Sequence, residues 1–171
     1  HYPGVGVGGH CIPVDPYYLI EKAKQSGFNH EFLKLARNIN ESMPNYTVEL
    51  LEKELGELKG VKIGVLGRAY KANVDDIRES PALKVIEILT EKGADISIFD
   101  PYVKKEGDVK DLNELLENSD YIILVTDHKE FKNMDIKKLQ GRIKIVIDGR
   151  NCLDKEEIKS LGIKYRGIGR S

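Results

Sequence analysis

The chain reads as an α/β protein in which a helical segment precedes a doubly wound, Rossmann-like parallel sheet. Three observations predict this. From about Val61 onward, short β-branched runs alternate with amphipathic stretches: VKIGVL, PALKVIEILTEKG, ADISIFD, DLNELLENS, DYIILVT, IKKLQ, IKIVID, and finally DKEEIKSLG with IKYRG. Such βαβ repetition calls for a parallel sheet covered on both faces. Before Gly60 the apolar residues recur at helical spacing instead. At 171 residues, with 40% apolar and 32% charged residues, the chain is long enough for a substantial core and has an ordinary globular balance.

The elements follow in order. Asp15 and Pro16 look like an N-cap and first helical position, opening a helix over 16–26 that Gly27 closes. A second helix is expected over 31–42, with Phe32, Leu35, Ala36 and Ile39 on one core-facing side. Pro44 then starts or kinks a further helix, on which Val48, Leu51, Leu55 and Leu58 form a narrow apolar stripe. That stripe packs either on the following domain or on a second subunit. The expected division is residues 1–59, helical, and 60–171, α/β.

Composition narrows the partners. The net charge is −1 with acids and bases interspersed, which leaves no basic footprint for nucleic acid or an anionic membrane. No apolar run approaches the roughly 18 residues of a membrane span, and no signal-peptide pattern is present, so a cytoplasmic location is expected. Cys11 and Cys152 lie far apart and form neither a CxxC nor a Cys/His spacing, which suits a reducing compartment and argues against a metal site.

The chemistry-bearing residues concentrate in two places. In the opening string HYPGVGVGGHCIPVDP, Gly4, Gly6, Gly8 and Gly9 let the main chain approach a ligand closely. Cys11 could supply a thiolate nucleophile there, favoured by a nearby helix N-terminus, with Asp15 close by. A buried small hydrophobe and a plain cap are the structural alternatives for these two residues. The second place is the carboxyl edge of the sheet, where ligands of such folds bind. Lys71 and Arg78 follow the first strand, Asp100 the second, Thr126 the third and Arg150 the fourth. The turn GVLGRAYKANVDD lacks G-x-G-x-x-G, and Asp100 lies 33 residues past Gly67, where an acid is expected after about 20, so the dinucleotide fingerprint fails. Lys71 and Arg78 instead suit a diphosphate or sugar hydroxyls, unless the segment is a solvated polar loop. Ser80 and Pro81 serve as cap and first turn.

The combined strings resemble the UDP-glucose/GDP-mannose dehydrogenase family, whose active-site loop reads G-x-G-G-x-C-x-x-x-D; Gly6, Gly8, Gly9, Cys11 and Asp15 fit it. GRAYKANVDDIRESPA resembles the family's G-x-x-F-K-x-x-x-x-D-x-R-E-S-P segment, with Tyr70 replacing the usual phenylalanine, and YIILVTDHKEF and the DGRN at 148–151 follow in the family's order. The resemblance implies NAD-dependent oxidation of the C6 alcohol of a UDP-sugar to a carboxylate through a Cys11 thiohemiacetal and thioester, with Asp15 organising the hydrolytic water. It implies that Val5, Gly6, Val7, Gly8, Gly9 and His10, together with Tyr70, Lys71 and Arg150, hold the substrate. Arg78 would reach an NAD bound mainly by a preceding domain. GGHCIPVDPYY, with His10 and Val14, resembles the branch acting on UDP-N-acetylhexosamines, with N-acetylmannosamine favoured over N-acetylglucosamine and then glucose. His10 either contacts the acetamido group, tunes the thiolate or packs beneath the loop. A homodimer or higher homo-oligomer through the helix around residues 45–58 is further implied. Because the chain starts in mid-motif, it is expected to be a fragment, inactive by itself. A non-catalytic UDP-sugar-binding or dimerisation module is the alternative from another class.

Overall fold

A computed structural model describes residues 2–170. Two helices come first, α1 (Cys11–Gln25) and α2 (Glu31–Leu55). Then β1 (Lys62–Leu66), α3 (Pro81–Glu91), β2 (Asp95–Phe99), α4 (Leu112–Glu117), β3 (Tyr121–Leu124), α5 (Lys129–Lys132), a 3-10 turn (Ile136–Leu139), β4 (Ile145–Asp148), α6 (Lys155–Ser160) and β5 (Lys164–Gly167) alternate as the sequence predicts. The five strands are parallel, in the order β2-β1-β3-β4-β5. From β1 the chain winds outward to β2 and then crosses back to β3, so the winding reverses between β1 and β3, and a crevice opens at their carboxyl ends.

Alternation along the strands sorts the apolar residues into two cores. Ile63, Val65, Ile123 and Ile147 face Val85 and Leu89 of α3 together with Val48 and Leu51 of α2. Leu66, Ile122, Leu124 and Val146 face Leu115, Phe131, Leu139 and Ile158. Helix starts are fixed by side chains: Ser80, Asp111 and Asp154 each accept a backbone N–H from the first turn of α3, α4 and α6.

Three expectations for the helical part are corrected. Helix α1 begins at Cys11, so Asp15 lies inside it and Pro16 is an interior residue. Pro13, in the first turn where backbone N–H groups have no helical partner, is the proline that suits the start. Helix α2 runs unbroken through Pro44. The proline costs the hydrogen bond that Asn40 C=O would otherwise accept. The apolar side of α2's first half is not core-facing: Phe32 is 78% exposed, Leu35 58% and Ile39 54%, and Ala36 is exposed too. Helical periodicity identifies an apolar face, but what covers it depends on the tertiary arrangement.

The stripe in the second half of α2 is settled within the chain. Val48 and Leu51 are fully buried beneath the sheet and Leu55 packs against them; Leu58, expected on the same helix, is buried too but lies past its end, because Gly56 with φ +81° closes α2 after Leu55. Burial of a leucine or valine side chain contributes about 1.5–3 kcal/mol. A subunit contact through residues 45–58 would therefore have to use the opposite side of α2.

Candidate functional site at the carboxyl edge of the sheet

The loops following β1, β3 and β4 meet the glycine-rich segment 4–9 at the carboxyl edge. A cavity of about 450 Å³ opens there, lined by Tyr2, Gly6, Val7, Gly8, Ile12, Tyr70, Lys71, Ala72, Asp127 and Arg150. Tyr70, Lys71 and Arg150, distant in sequence, thus share one wall with the glycine loop. Lys71 and Arg150 supply its two cationic groups. Arg150 is steered by Asp127, whose Oδ1 lies 3.3 Å from its Nε.

The glycines have a specific task. A Cβ on Gly8 would fall 2.3 Å from Glu79 O, and one on Gly9, whose φ is +96°, would fall 2.8 Å from the Tyr70 ring. They let the loop lie directly on the start of α3 and on Tyr70. Two amides expected to face a ligand are instead used internally: Gly9 N–H donates to Arg78 O at 3.0 Å, and Val7 N–H donates to Asn40 Oδ1 at 2.8 Å. Val5, also expected to hold substrate, lies in the hydrophobic core, where its methyl occupies the space that a side chain at Gly149 would need. The approach of two backbone segments, invisible in the sequence, commits these groups to packing rather than to the cavity.

Cys11 is exposed at the first position of α1, and Asp15 follows one turn later on the same side of the helix, about 6 Å along the axis. His10, also exposed, precedes the helix without a capping side-chain bond. Arg78 is exposed and grips the Asp76 carboxylate, with Nε within 2.9 Å and Nη2 at 2.6 Å of Oδ2. That bond holds the Asp76 carboxyl below the usual range and raises the Arg78 pKa.

The β1–α3 loop that presents Tyr70 and Lys71 is fixed by a buried polar network. Asp100 Oδ2 accepts the N–H groups of Arg68 at 2.6 Å and Ala69 at 2.9 Å, while its Oδ1 accepts those of Tyr102 at 2.8 Å and Val103 at 2.9 Å. His128 lies 3.0 Å from the same Oδ2 through Nε2, and its Nδ1 accepts Asn73 N–H at 2.9 Å. With Nδ1 committed as an acceptor, the proton sits on Nε2 and donates to Asp100. Burial opposes the Asp100 charge, but the hydrogen bonds from His128, Arg68, Ala69 and Tyr102 outweigh it and hold this carboxyl far below its ordinary range. Thr126 Oγ1 donates to Ala69 O at 2.7 Å and completes the attachment.

Sequence reading marked Asp100 and Thr126 by position but gave no role to Asn40, Asp127, His128, Tyr2 or Ile12. The string TDH after the third strand was the available signal for Asp127 and His128. Asn40 sits in mid-helix and carries none.

A parallel sheet with a reversal crevice, a glycine loop leading into a helix that starts at an exposed thiol, and two cations facing a cavity define an α/β protein with a ligand-sized site at the carboxyl edge of its sheet. Residues 64–155 match the UDP-glucose/GDP-mannose dehydrogenase family, UDP binding domain, and residues 1–42 match the central domain of the same family. The chain belongs to the UDP-glucose/GDP-mannose dehydrogenase family. It is similar to a UDP-N-acetyl-D-mannosamine dehydrogenase of Pyrococcus horikoshii, 42% identical over 177 residues that cover 99% of this chain and 40% of the relative. It also resembles a UDP-glucose 6-dehydrogenase of Bacillus subtilis, at 33% identity over 98% of this chain and 39% of the relative. The solved Pyrococcus horikoshii structure superposes with a TM-score of 0.87 at 41% identity, covering 99% of this chain and 40% of that one. That of an NDP-N-acetyl-D-galactosaminuronic acid dehydrogenase from Methanosarcina mazei gives 0.88 at 30% identity, covering 100% and 40%. The chain spans about 40% of the length of these relatives.

Proposed function

We propose that this chain is the substrate-holding part of an NAD-dependent UDP-sugar 6-dehydrogenase, acting on UDP-N-acetyl-D-mannosamine, with residues 1–59 supplying the thiol-bearing segment and 60–171 the nucleotide-sugar domain. The observation that carries this reading is the cavity in which the glycine loop faces Tyr70, Lys71 and Arg150. Lys71 and Arg150 suit the diphosphate and sugar oxygens, since both are cations on an otherwise mixed wall. The exposed Cys11 thiolate adds to the C6 aldehyde formed in the first oxidation, giving a thiohemiacetal that still carries a hydrogen on carbon. Oxidation of that adduct yields a thioester, and water then attacks it, expelling the thiolate and releasing the acid. Asp15, one helical turn from Cys11, orders that water and takes its proton. NAD, when bound, would serve as the oxidant for both oxidations, the four electrons leaving the substrate as two hydrides.

The residues present do not form a complete dinucleotide site. The β1–α3 turn that would carry the glycine fingerprint is instead tied to Asp100. Arg78, exposed after the β1 loop, is the one residue assigned to the cofactor, and the rest of the NAD site would come from the remaining length of the protein. By itself the chain is expected to bind a UDP-sugar without oxidising it.

The test measures NADH formation by the full-length protein on UDP-N-acetylmannosamine, UDP-N-acetylglucosamine and UDP-glucose, beside Cys11→Ala. Two NADH per N-acetylmannosamine substrate, lost in the variant, is the expected result. Turnover of another sugar alone would reject the substrate, and full activity in Cys11→Ala would reject the mechanism.

A further inference from the structure

The segment from Gly6 to Gly8 forms a thin partition. On one side lies the 450 Å³ cavity assigned above to the nucleotide sugar. On the other, between α2 and α3, lies a second hollow of about 420 Å³, lined among others by Val7, Pro13, Arg37, Asn40 and Pro81. Val7 borders both and is only half-buried, so side-chain packing does not set the position of this stretch. Between the buried Val5 and the Gly9 N–H bond to Arg78 O, one side chain holds the polar groups of this stretch. Asn40 accepts Val7 N–H at 2.8 Å through Oδ1 and donates from Nδ2 to Val7 O at 3.1 Å, clamping both polar groups of one residue.

The clamp lies on a braced section of helix. The next residue, Glu41, accepts Tyr17 OH of α1 at 2.6 Å and pairs with Arg37 at 2.8 Å, while Arg37 lies over the Tyr17 ring. Burial resists the Glu41 charge, but the Tyr17 hydroxyl, as the largest influence, and then Arg37 hold this carboxyl below its ordinary range. Neighbouring residues of α2 therefore fix the glycine loop and the Cys11-bearing helix to one support.

We infer that Asn40 is the positioning residue of the substrate cradle: its amide sets the glycine loop at the distance from Cys11 that a bound nucleotide sugar requires. This rests on the functional reading above but makes its own demand, because the Asn40 to Val7 hydrogen bonds exist without ligand.

The experiment compares wild type, Asn40→Ala and Asn40→Asp in two arms. Hydrogen exchange at the Val7 amide needs no ligand: exchange at least about tenfold faster in Asn40→Ala, with wild-type rates at β1 and β3, is expected from removal of the acceptor. Steady-state kinetics of the full-length protein should give a KM for the UDP-sugar raised about tenfold in Asn40→Ala, with kcat within about threefold of wild type. Asn40→Asp, which retains the acceptor for Val7 N–H and loses the donor to Val7 O, should fall between the two. General loosening would instead lower Tm and kcat and leave KM unchanged. An unaltered Val7 amide, or accelerated exchange with unaltered KM, overturns the inference. If wild type neither binds nor oxidises a UDP-sugar, the functional reading fails, while the exchange arm still decides whether Asn40 holds the loop.

Discussion

Replacing Asp100 by asparagine probes the link between buried polar chemistry and the placement of the cavity wall. The carboxylate takes four backbone N–H groups and the His128 ring N–H, with no exposure of its side chain. Asparagine offers one oxygen. Turned toward Arg68, Ala69 and His128, that oxygen leaves its own NH2 facing the N–H groups of Tyr102 and Val103. Each buried donor left without an acceptor costs about 1–3 kcal/mol, so the pair costs roughly 2–6 kcal/mol. Set against total stabilities of about 5–15 kcal/mol, this is a large loss. Urea unfolding followed by circular dichroism should show the midpoint falling with the slope retained. The pH dependence has a definite sign. The folded-state pKa of Asp100 is depressed, so its stabilisation is fully present above its unfolded value of about 3.9 and is lost as pH falls through the folded value. Wild type should therefore lose more stability below about pH 4 than Asp100→Asn does. A loss under about 1 kcal/mol at neutral pH, or parallel acid profiles, would refute the account of the network.

Two further outcomes follow from the same geometry. Cys11 is exposed, whereas Cys152 is half-buried with its thiol pushed up to about 12 by burial and then by Asp148 and Asp127; mass-resolved alkylation at pH 8 should label Cys11 first, and equal labelling would contradict that assignment. Gly149→Ala places a Cβ 2.2 Å from Val5 and 2.6 Å from Leu124 O, so it should destabilise by roughly 1–3 kcal/mol in thermal unfolding and weaken UDP-sugar binding by shifting the loop, and an unchanged Tm would count against that packing.

The α/β part was legible because its signals are local and repeated. The run VKIGVL and the pair Ser80–Pro81 each specify an element by composition alone, and the structure places them as expected. The first helix was misplaced by the pair Asp15–Pro16, which has the composition of a start but lies within α1, because the earlier Pro13 also suits a first turn. The apolar face of Phe32, Leu35 and Ile39 has the right period for a core helix and is exposed all the same, since periodicity carries no information about the covering surface. At the site, the motif string brought Tyr70, Lys71 and Arg150 into view, and they share one cavity. Asn40 and His128 stayed hidden because each acts through a contact more than thirty residues away in sequence, Asn40 with Val7 and His128 with Asn73.

Helix α2 behaves as a shaft with its bearing at one end. Its 25 residues extend roughly 37 Å at about 1.5 Å per residue. Val48 and Leu51 seat the inner half in the sheet, the outer half carries α1 through Tyr17, and Asn40 grips the glycine loop where the two halves meet. Pro44 interrupts the hydrogen-bond ladder at that same place, through the carbonyl of Asn40 itself, so the shaft bends most easily beside the loop that it holds. The same stretch of α2 therefore joins Val7, through Asn40, to α1, through Glu41 and Tyr17.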